Sequence, residues 1–110
     1  TRVGQDPLGE ELIAYLQQQG LSAELVQRDP LHGTGTVTVE PQGTGTRYTF
    51  LENSAWDFLT IDENWRAAFQ TVRAVCFGTL AQRGKVSRAT IHECLQLTAP
   101  DCLRVYDINL

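Results

Sequence analysis

The chain has 110 residues, 42% of them apolar, and a formal net charge of −4. Such a length supports one domain that buries roughly two-thirds of its unfolded-chain surface, and such an apolar share excludes a disordered chain. The acidic balance argues against nucleic acid and against an anionic membrane surface, both of which select a basic face. There is no apolar run of about eighteen residues to span a membrane, and no signal-peptide pattern.

Three cysteines, none in a Cys-x-x-Cys pair, fit reduced thiols in a cytoplasmic protein better than a disulfide frame or a zinc site. Cys76 is expected inside a buried strand and Cys94 on the apolar face of a helix. The chain has no methionine, and both its ends abut element patterns. It therefore reads as an internal piece of a longer protein.

Asp6-Pro7 marks a helix start, with Asp as N-cap and Pro at the first helical position. Leu8, Leu12, Ile13 and Leu16 follow at helical spacing, and Gly20 stops the helix from the C′ position. Leu25–Gln27 is a short strand candidate that Asp29-Pro30 ends. Gly33-Thr-Gly-Thr then leads into Val37-Thr-Val-Glu, and Gly43-Thr-Gly-Thr into Arg47-Tyr-Thr-Phe-Leu. Both strands alternate: Val37 and Val39 share one face of the first, Tyr48 and Phe50 one face of the second. Pro41-Gln-Gly-Thr-Gly supplies the turn. The pattern predicts an antiparallel hairpin with its apolar face packed and its Thr-rich face free, a candidate lid or dimer surface. A strand, not a helix, follows each Gly-Thr-Gly-Thr run, so these glycines read as turns and not as a phosphate loop.

Asp62 is the expected cap of a second helix, with Trp65, Ala68, Phe69 and Val72 as its core stripe. Ala74–Phe77 is apolar without alternation and reads as a strand buried on both faces. It breaks at Gly78-Thr79 into a polar loop holding Arg83, Lys85 and Arg88, three of nine basic residues. Gly84-Lys85 lacks the spacing of a Walker loop. A third helix is expected from about Ser87, as N-cap, to Leu97, burying Ile91, Cys94 and Leu95, with Pro100 beyond it. Leu103-Arg-Val-Tyr-Asp-Ile-Asn-Leu is the last strand. Strand, helix and strand in this order imply a parallel pair with a right-handed crossover. The polar strand ends, Thr79 to Arg83 and Asp107 with Asn109, then share the sheet edge where α/β folds bind ligands.

Several motifs resemble one family. They are Val3-Gly-Gln-Asp-Pro-Leu-Gly-Glu-Glu-Leu, Gly20-Leu-Ser, His32-Gly-Thr-Gly-Thr-Val, Glu52-Asn-Ser-Ala-Trp-Asp-Phe, Cys76-Phe-Gly-Thr-Leu-Ala-Gln-Arg and Tyr106-Asp-Ile-Asn-Leu. Their order and spacing resemble the ribokinase-like (PfkB) carbohydrate kinases, the Ala-Trp-Asp and Gly-Thr-Leu-Ala-Gln-Arg pieces most of all the fructokinase branch.

The resemblance implies an α/β fold: part of a Rossmann-like α/β/α core, residues 1–33 and 52–110, with an inserted antiparallel β-hairpin lid over 34–51. It implies a cytoplasmic kinase that moves the γ-phosphate of ATP, with Mg²⁺, to a sugar hydroxyl. The lid covers the sugar and in several members mediates dimerisation. Such a transfer needs a base at the hydroxyl and donors to the phosphoryl group. The family carries these in a Gly-Ala-Gly-Asp segment that this chain does not contain. No catalytic residue, no metal ligand and no bound ATP are therefore expected of this chain alone.

The substrate-side candidates are Glu52, Asn53, Thr79, Gln82, Arg83, Asp107 and Asn109. For Asp107 and Asn109, capping of the following loop stands beside contact with the sugar. Arg83, near a helix N-terminus, suits an anion or a hydroxyl, whereas Lys85 reads as a solvated loop residue. Trp56 reads as lid-base packing, and His32 and His92 as surface residues. The alternative function is a complete, non-catalytic module that binds a small polyol or dimerises through the hairpin.

Overall fold

A computed structural model describes residues 1–108. The chain forms two compact units that meet in sequence at Trp56 and Asp57.

In the first unit, β1 (Arg2–Gly4) and β2 (Gln27–Asp29) pair in parallel, with α1 (Pro7–Gln18) between them in sequence. Asp6 caps α1, accepting from the Gly9 amide at 2.8 Å, and Gly20 turns the chain at φ +73°. β2 begins later than the sequence predicts. The Val26 amide closes a turn onto the Ala23 carbonyl, and pairing starts at Gln27, whose amide donates to the Thr1 carbonyl. Asp29 does not end the strand but belongs to it, for its carbonyl accepts from the Gln5 amide at 2.9 Å. Pro30, with no N–H, breaks the ladder instead. Of the α1 stripe only Ile13 is buried. Leu8 and Leu12 are exposed within this unit.

β3 (Val37–Gln42) and β4 (Gly45–Phe50) form the expected antiparallel hairpin, with Val37 opposite Phe50 and Val39 opposite Tyr48. The strands run further than predicted. Pro41 pairs with Thr46 and Gln42 with Gly45, so the turn shrinks to Gly43-Thr44, with Gly43 at φ +59°. That left-handed conformation suits glycine. The expected packing of the apolar face is not found: every residue of both strands is exposed. Alternation specifies which face can be buried, and this unit supplies nothing to bury it.

In the second unit, Asp62 caps α2 (Glu63–Thr71) as predicted, accepting from the Trp65 amide at 2.8 Å. β5 (Ala74–Gly78) and β6 (Leu103–Asp107) pair in parallel, with α3 (Lys85–Leu97) as the crossover. The core gathers Leu59, Trp65 and Cys94, flanked by Ile61, Phe69 and Ile91. Trp65 and Phe69, one helical turn apart, bring their rings to 5.8 Å. Burial pushes the Cys94 thiol up to about 11.

α3 starts at Lys85 with Gly84 as N-cap, not at Ser87. Ser87 lies fully buried inside the first turn, where its hydroxyl accepts from the Leu59 amide at 2.9 Å. Thr90, one turn on, donates to the Leu59 carbonyl at 2.7 Å. Two hydroxyls thus satisfy both backbone groups of a buried residue, a tertiary use of Ser87 that outweighs its capping preference. β5 is a strand as expected, yet it is not buried on both faces. Ala74 and Cys76 are exposed, because β5 belongs to a two-stranded sheet with little to cover it. Cys76 is accordingly an exposed thiol, while Cys94 and Cys102 are buried. No helix among the described residues is long and apolar enough to cross a membrane.

Candidate functional site

The parallel pairing of β5 and β6 sets Gly78 beside Asp107 at the carboxyl end of the sheet. The loop that follows β5 is closed by its own side chains. The Thr79 hydroxyl donates to the Ile108 carbonyl at 3.0 Å, tying one strand end to the other. Gln82 turns its amide back onto the Gly78 carbonyl at 2.8 Å, and Arg88 donates to the Gln82 carbonyl at 2.8 Å. Thr79, Gln82, Arg83 and Asp107 therefore come to one sheet edge, as the strand order predicts. Asn109 lies outside the described residues.

Arg83 carries a further role. Its Nε donates to Asp57 Oδ1 at 2.9 Å and a terminal nitrogen to Asp57 Oδ2 at 2.7 Å, a bidentate fork. Asp57 is buried, and the Arg83 side chain is 27% exposed. The loop wraps this acid closely: a Cβ on Gly84 would come within 3.3 Å of the Asp57 carbonyl oxygen. Arg83 is thus a cation held by a bidentate fork, with its side chain partly exposed. Asp57 is the residue that sequence reasoning passed over. It stood within the Ala-Trp-Asp motif, and only the fold shows which cation it holds.

Glu52 and Asn53 belong to the first unit, apart in the chain from the other candidates. Both are exposed at the turn where the hairpin returns, and Asn53 takes φ +53°. Asn tolerates this left-handed conformation better than most residues with a side chain. Trp56 packs at the hairpin base as expected: a Cβ on Gly35 would come within 2.8 Å of its ring. His32 is not a simple surface residue. It is half-buried, with Nδ1 3.1 Å from Asp29 Oδ2. Asp29 is 1% exposed and also meets Arg2 at 2.8 Å. Burial opposes its charge, but the amides of Leu31 and His32, the His32 ring and Arg2 overcome that and lower its carboxyl to about 2. The Asp6 carboxyl is likewise held below the usual carboxylate range, first by the Thr34 amide, then by the Thr34 hydroxyl and the Gly9 amide.

Among the described residues no three His, Cys, Asp or Glu side chains gather as a metal site.

Comparison with known proteins finds the likeness of this chain, in sequence and in fold, among sugar kinases. The chain is 26% identical over 111 aligned residues to a sugar kinase homologue of Pyrococcus horikoshii, covering 100% of this chain and 36% of that protein. It is 36% identical over 64 residues to a fructokinase of Vibrio alginolyticus, covering 56% of this chain and 21% of that protein. The crystal structure of the uncharacterized P. horikoshii sugar kinase superposes with a TM-score of 0.90 at 26% identity, over 100% of this chain and 36% of that one. Its complex with ATP gives a TM-score of 0.88 at 25% identity, with the same coverage. A fructokinase of Vibrio cholerae O395, with fructose, ADP and a calcium ion bound, gives a TM-score of 0.78 at 26% identity over 99% of this chain and 36% of that one. No protein-family model matches the chain. The chain thus spans about a third of the length of the relatives that it matches from end to end.

Proposed function

We propose that the protein to which this chain belongs is a cytoplasmic carbohydrate kinase of fructokinase type, using ATP and Mg²⁺. The chain supplies its lid hairpin and its sugar-side sheet edge. The observation that carries this reading is the end-to-end structural likeness to a sugar kinase, with a TM-score of 0.90. The bound ATP and the bound fructose with ADP in the related structures support the donor and the substrate class.

In this reading a sugar hydroxyl oxygen bonds to the γ-phosphorus as the bond to the β,γ-bridging oxygen breaks, and ADP departs. The hydroxyl proton passes to a base that we do not assign to this chain, which has no Gly-Ala-Gly-Asp segment. The chain's own part is to bind and orient. Glu52, Asn53, Asp107 and Asn109 offer hydrogen-bonding groups suited to sugar hydroxyls. Thr79 and Gln82 shape the loop, and Arg83, fixed by Asp57, presents positive charge to an oxygen-rich ligand. The hairpin's part in this reading is that of a lid, which excludes water that would otherwise compete for the phosphoryl group. Its exposed apolar face, with Val39 53% and Tyr48 60% exposed, also suits a homodimer contact.

The test is ADP release by the whole protein containing these residues, given ATP, Mg²⁺ and a panel of hexoses and pentoses. Sugar-dependent release is expected, strongest with a ketohexose, and release with no sugar in the panel would overturn the reading. The 110-residue chain alone should show no turnover. Turnover by it would place the base within these residues.

A further inference from the structure

Asp6 does more than cap α1. Its Oδ1 accepts from the Gly9 amide at 2.8 Å and from the Thr34 hydroxyl at 2.7 Å, and its Oδ2 accepts from the Thr34 amide at 2.7 Å. The Thr34 hydroxyl in turn accepts from the Gly4 amide at 2.9 Å. A single carboxylate therefore joins the end of β1, the first turn of α1 and the strap that leads into β3. An ionised carboxylate, with lone pairs and charge on both oxygens, suits three donors at once. The junction leaves no slack. A Cβ on Gly4 would come within 2.2 Å of Asp6 Oδ2, and one on Gly9 within 2.2 Å of the Gly4 carbonyl oxygen.

The returning leg of the hairpin is tied to the same foot. The Ala55 amide donates to the Gly33 carbonyl at 2.8 Å, and the Leu51 amide to the Thr36 carbonyl at 3.0 Å. The Ser54 hydroxyl, fully buried, donates to the Leu51 carbonyl at 2.8 Å. Trp56 lies against Gly35. Above this foot every residue of β3 and β4 is exposed. The close-packed foot and the uncovered blade meet between Thr34 and Thr36 on one leg and at Glu52-Asn53 on the other.

We propose that Asp6 is the hinge pin of the hairpin: by holding Thr34 it sets the position from which the hairpin leaves the first unit. Asp6 is a positioning residue and touches no reacting atom. That the hairpin so positioned is a lid over sugar rests on the sugar-kinase reading. The anchoring itself does not.

The experiment is amide hydrogen exchange by NMR on the whole protein that contains these residues, without sugar or nucleotide, so that its result is independent of the kinase reading. Thr34→Val removes the hydroxyl between Gly4 and Asp6, Thr34→Ser keeps it, and Asp6→Asn turns one acceptor into a donor. In Thr34→Val and Asp6→Asn the Ala55 and Leu51 amides should exchange about tenfold faster, the factor expected from one lost hydrogen bond of ordinary strength. The Gly35 cross-peak, displaced by the Trp56 ring current, should move with them. Thr34→Ser should restore wild-type rates, while the amides of α2 and α3 keep theirs in every variant. Unchanged Ala55 exchange and an unmoved Gly35 peak in both disruptive variants would overturn the proposal. If Asp6→Asn unfolds the first unit as a whole, the Thr34 pair decides. Slow exchange in Ser with fast exchange in Val supports the hinge pin, and equal rates overturn it.

Discussion

The fork between Arg83 and Asp57 makes a claim that can be measured without any ligand. Asp57 is only 6% exposed, so its carboxylate has given up most of its water and depends on partners within the protein. Replacing Arg83 with Met keeps the aliphatic bulk but removes both hydrogen bonds, at 2.9 and 2.7 Å. Breaking a fully buried pair from one side costs about 3–5 kcal/mol. Arg83 retains 27% side-chain exposure, so water screens part of that interaction, and we expect less than for a fully buried pair, about 2–3 kcal/mol. Asp57→Asn should cost less, about 1–2 kcal/mol, since an amide can still accept one of the two bonds. The double variant should then fall short of the sum by about 1–2 kcal/mol, the coupling typical of contacting residues in one network. Urea unfolding followed by Trp65 fluorescence in a Trp56→Phe background reports on the second unit alone. Additive losses in the double variant, or a Met substitution costing under about 0.5 kcal/mol, would refute the claim that Asp57 holds Arg83 in place. On the sugar-kinase reading proposed above, the same variants in the whole protein separate two roles. If Arg83 meets substrate directly, Arg83→Met should raise the KM for sugar or ATP well beyond what Asp57→Asn does. Equal effects would make Arg83 purely structural.

Two further outcomes follow from the first unit. Asp29 has a folded pKa of about 2, below the unfolded value of about 3.9. A depressed carboxylate stabilises above its unfolded pKa and loses that contribution as pH falls toward the folded one. The first unit should therefore lose stability between about pH 4 and pH 2, and Asp29→Asn, less stable at pH 7, should flatten this limb in urea titrations. An acid limb unchanged by the substitution would remove Asp29 as its source. The proposed homodimer should show in sedimentation: Tyr48→Asp, on the apolar face, should dissociate it, whereas Thr38→Asp on the other face should not. A wild-type chain that stays monomeric at high micromolar concentration would refute the hairpin contact for this chain.

Local chemistry was legible wherever one residue type answers one local need. Asp6 and Asp62 are caps because a short acidic side chain before a helix has amides directly in reach, at 2.8 Å in both cases. The faces of the hairpin were readable because Val37 with Val39, and Tyr48 with Phe50, alternate with polar residues, but alternation is kept by a slip of two residues and so left the pairing of Val37 with Phe50 to the fold. Errors arose where a tertiary partner claimed the same atom. Ser87 looks like a cap, yet its oxygen serves the Leu59 amide, 28 residues away in sequence. Asp29 looks like a turn residue, yet its backbone continues the ladder while its side chain gathers Leu31, His32 and Arg2. Burial was mispredicted for β5 and for the hairpin for another reason. Apolar patterning records which surfaces a strand can bury, and neither unit carries enough chain to cover them.

The candidate site shows the same division between what a loop displays and what holds it. Sequence reasoning picked out the displayed groups, Arg83 and Glu52 among them, since charge on a loop is visible without a fold. The groups that fix those loops are acids with other apparent duties: Asp6, which seemed only a cap, and Asp57, which seemed only a motif letter. Each accepts hydrogen bonds through both of its carboxylate oxygens, and each reaches a segment more than twenty residues away. A carboxylate suits this work because its two oxygens can bind donors from separate segments while its charge strengthens each bond. It follows that, within each unit, the most damaging conservative changes are not in the loops themselves. Asp6→Asn and Asp57→Asn alter neither shape nor any residue offered to substrate, yet each removes an acceptor on which a loop depends. Faster amide exchange in the loop each acid holds, with helix content retained, would locate the origin of each loop's geometry in its acid.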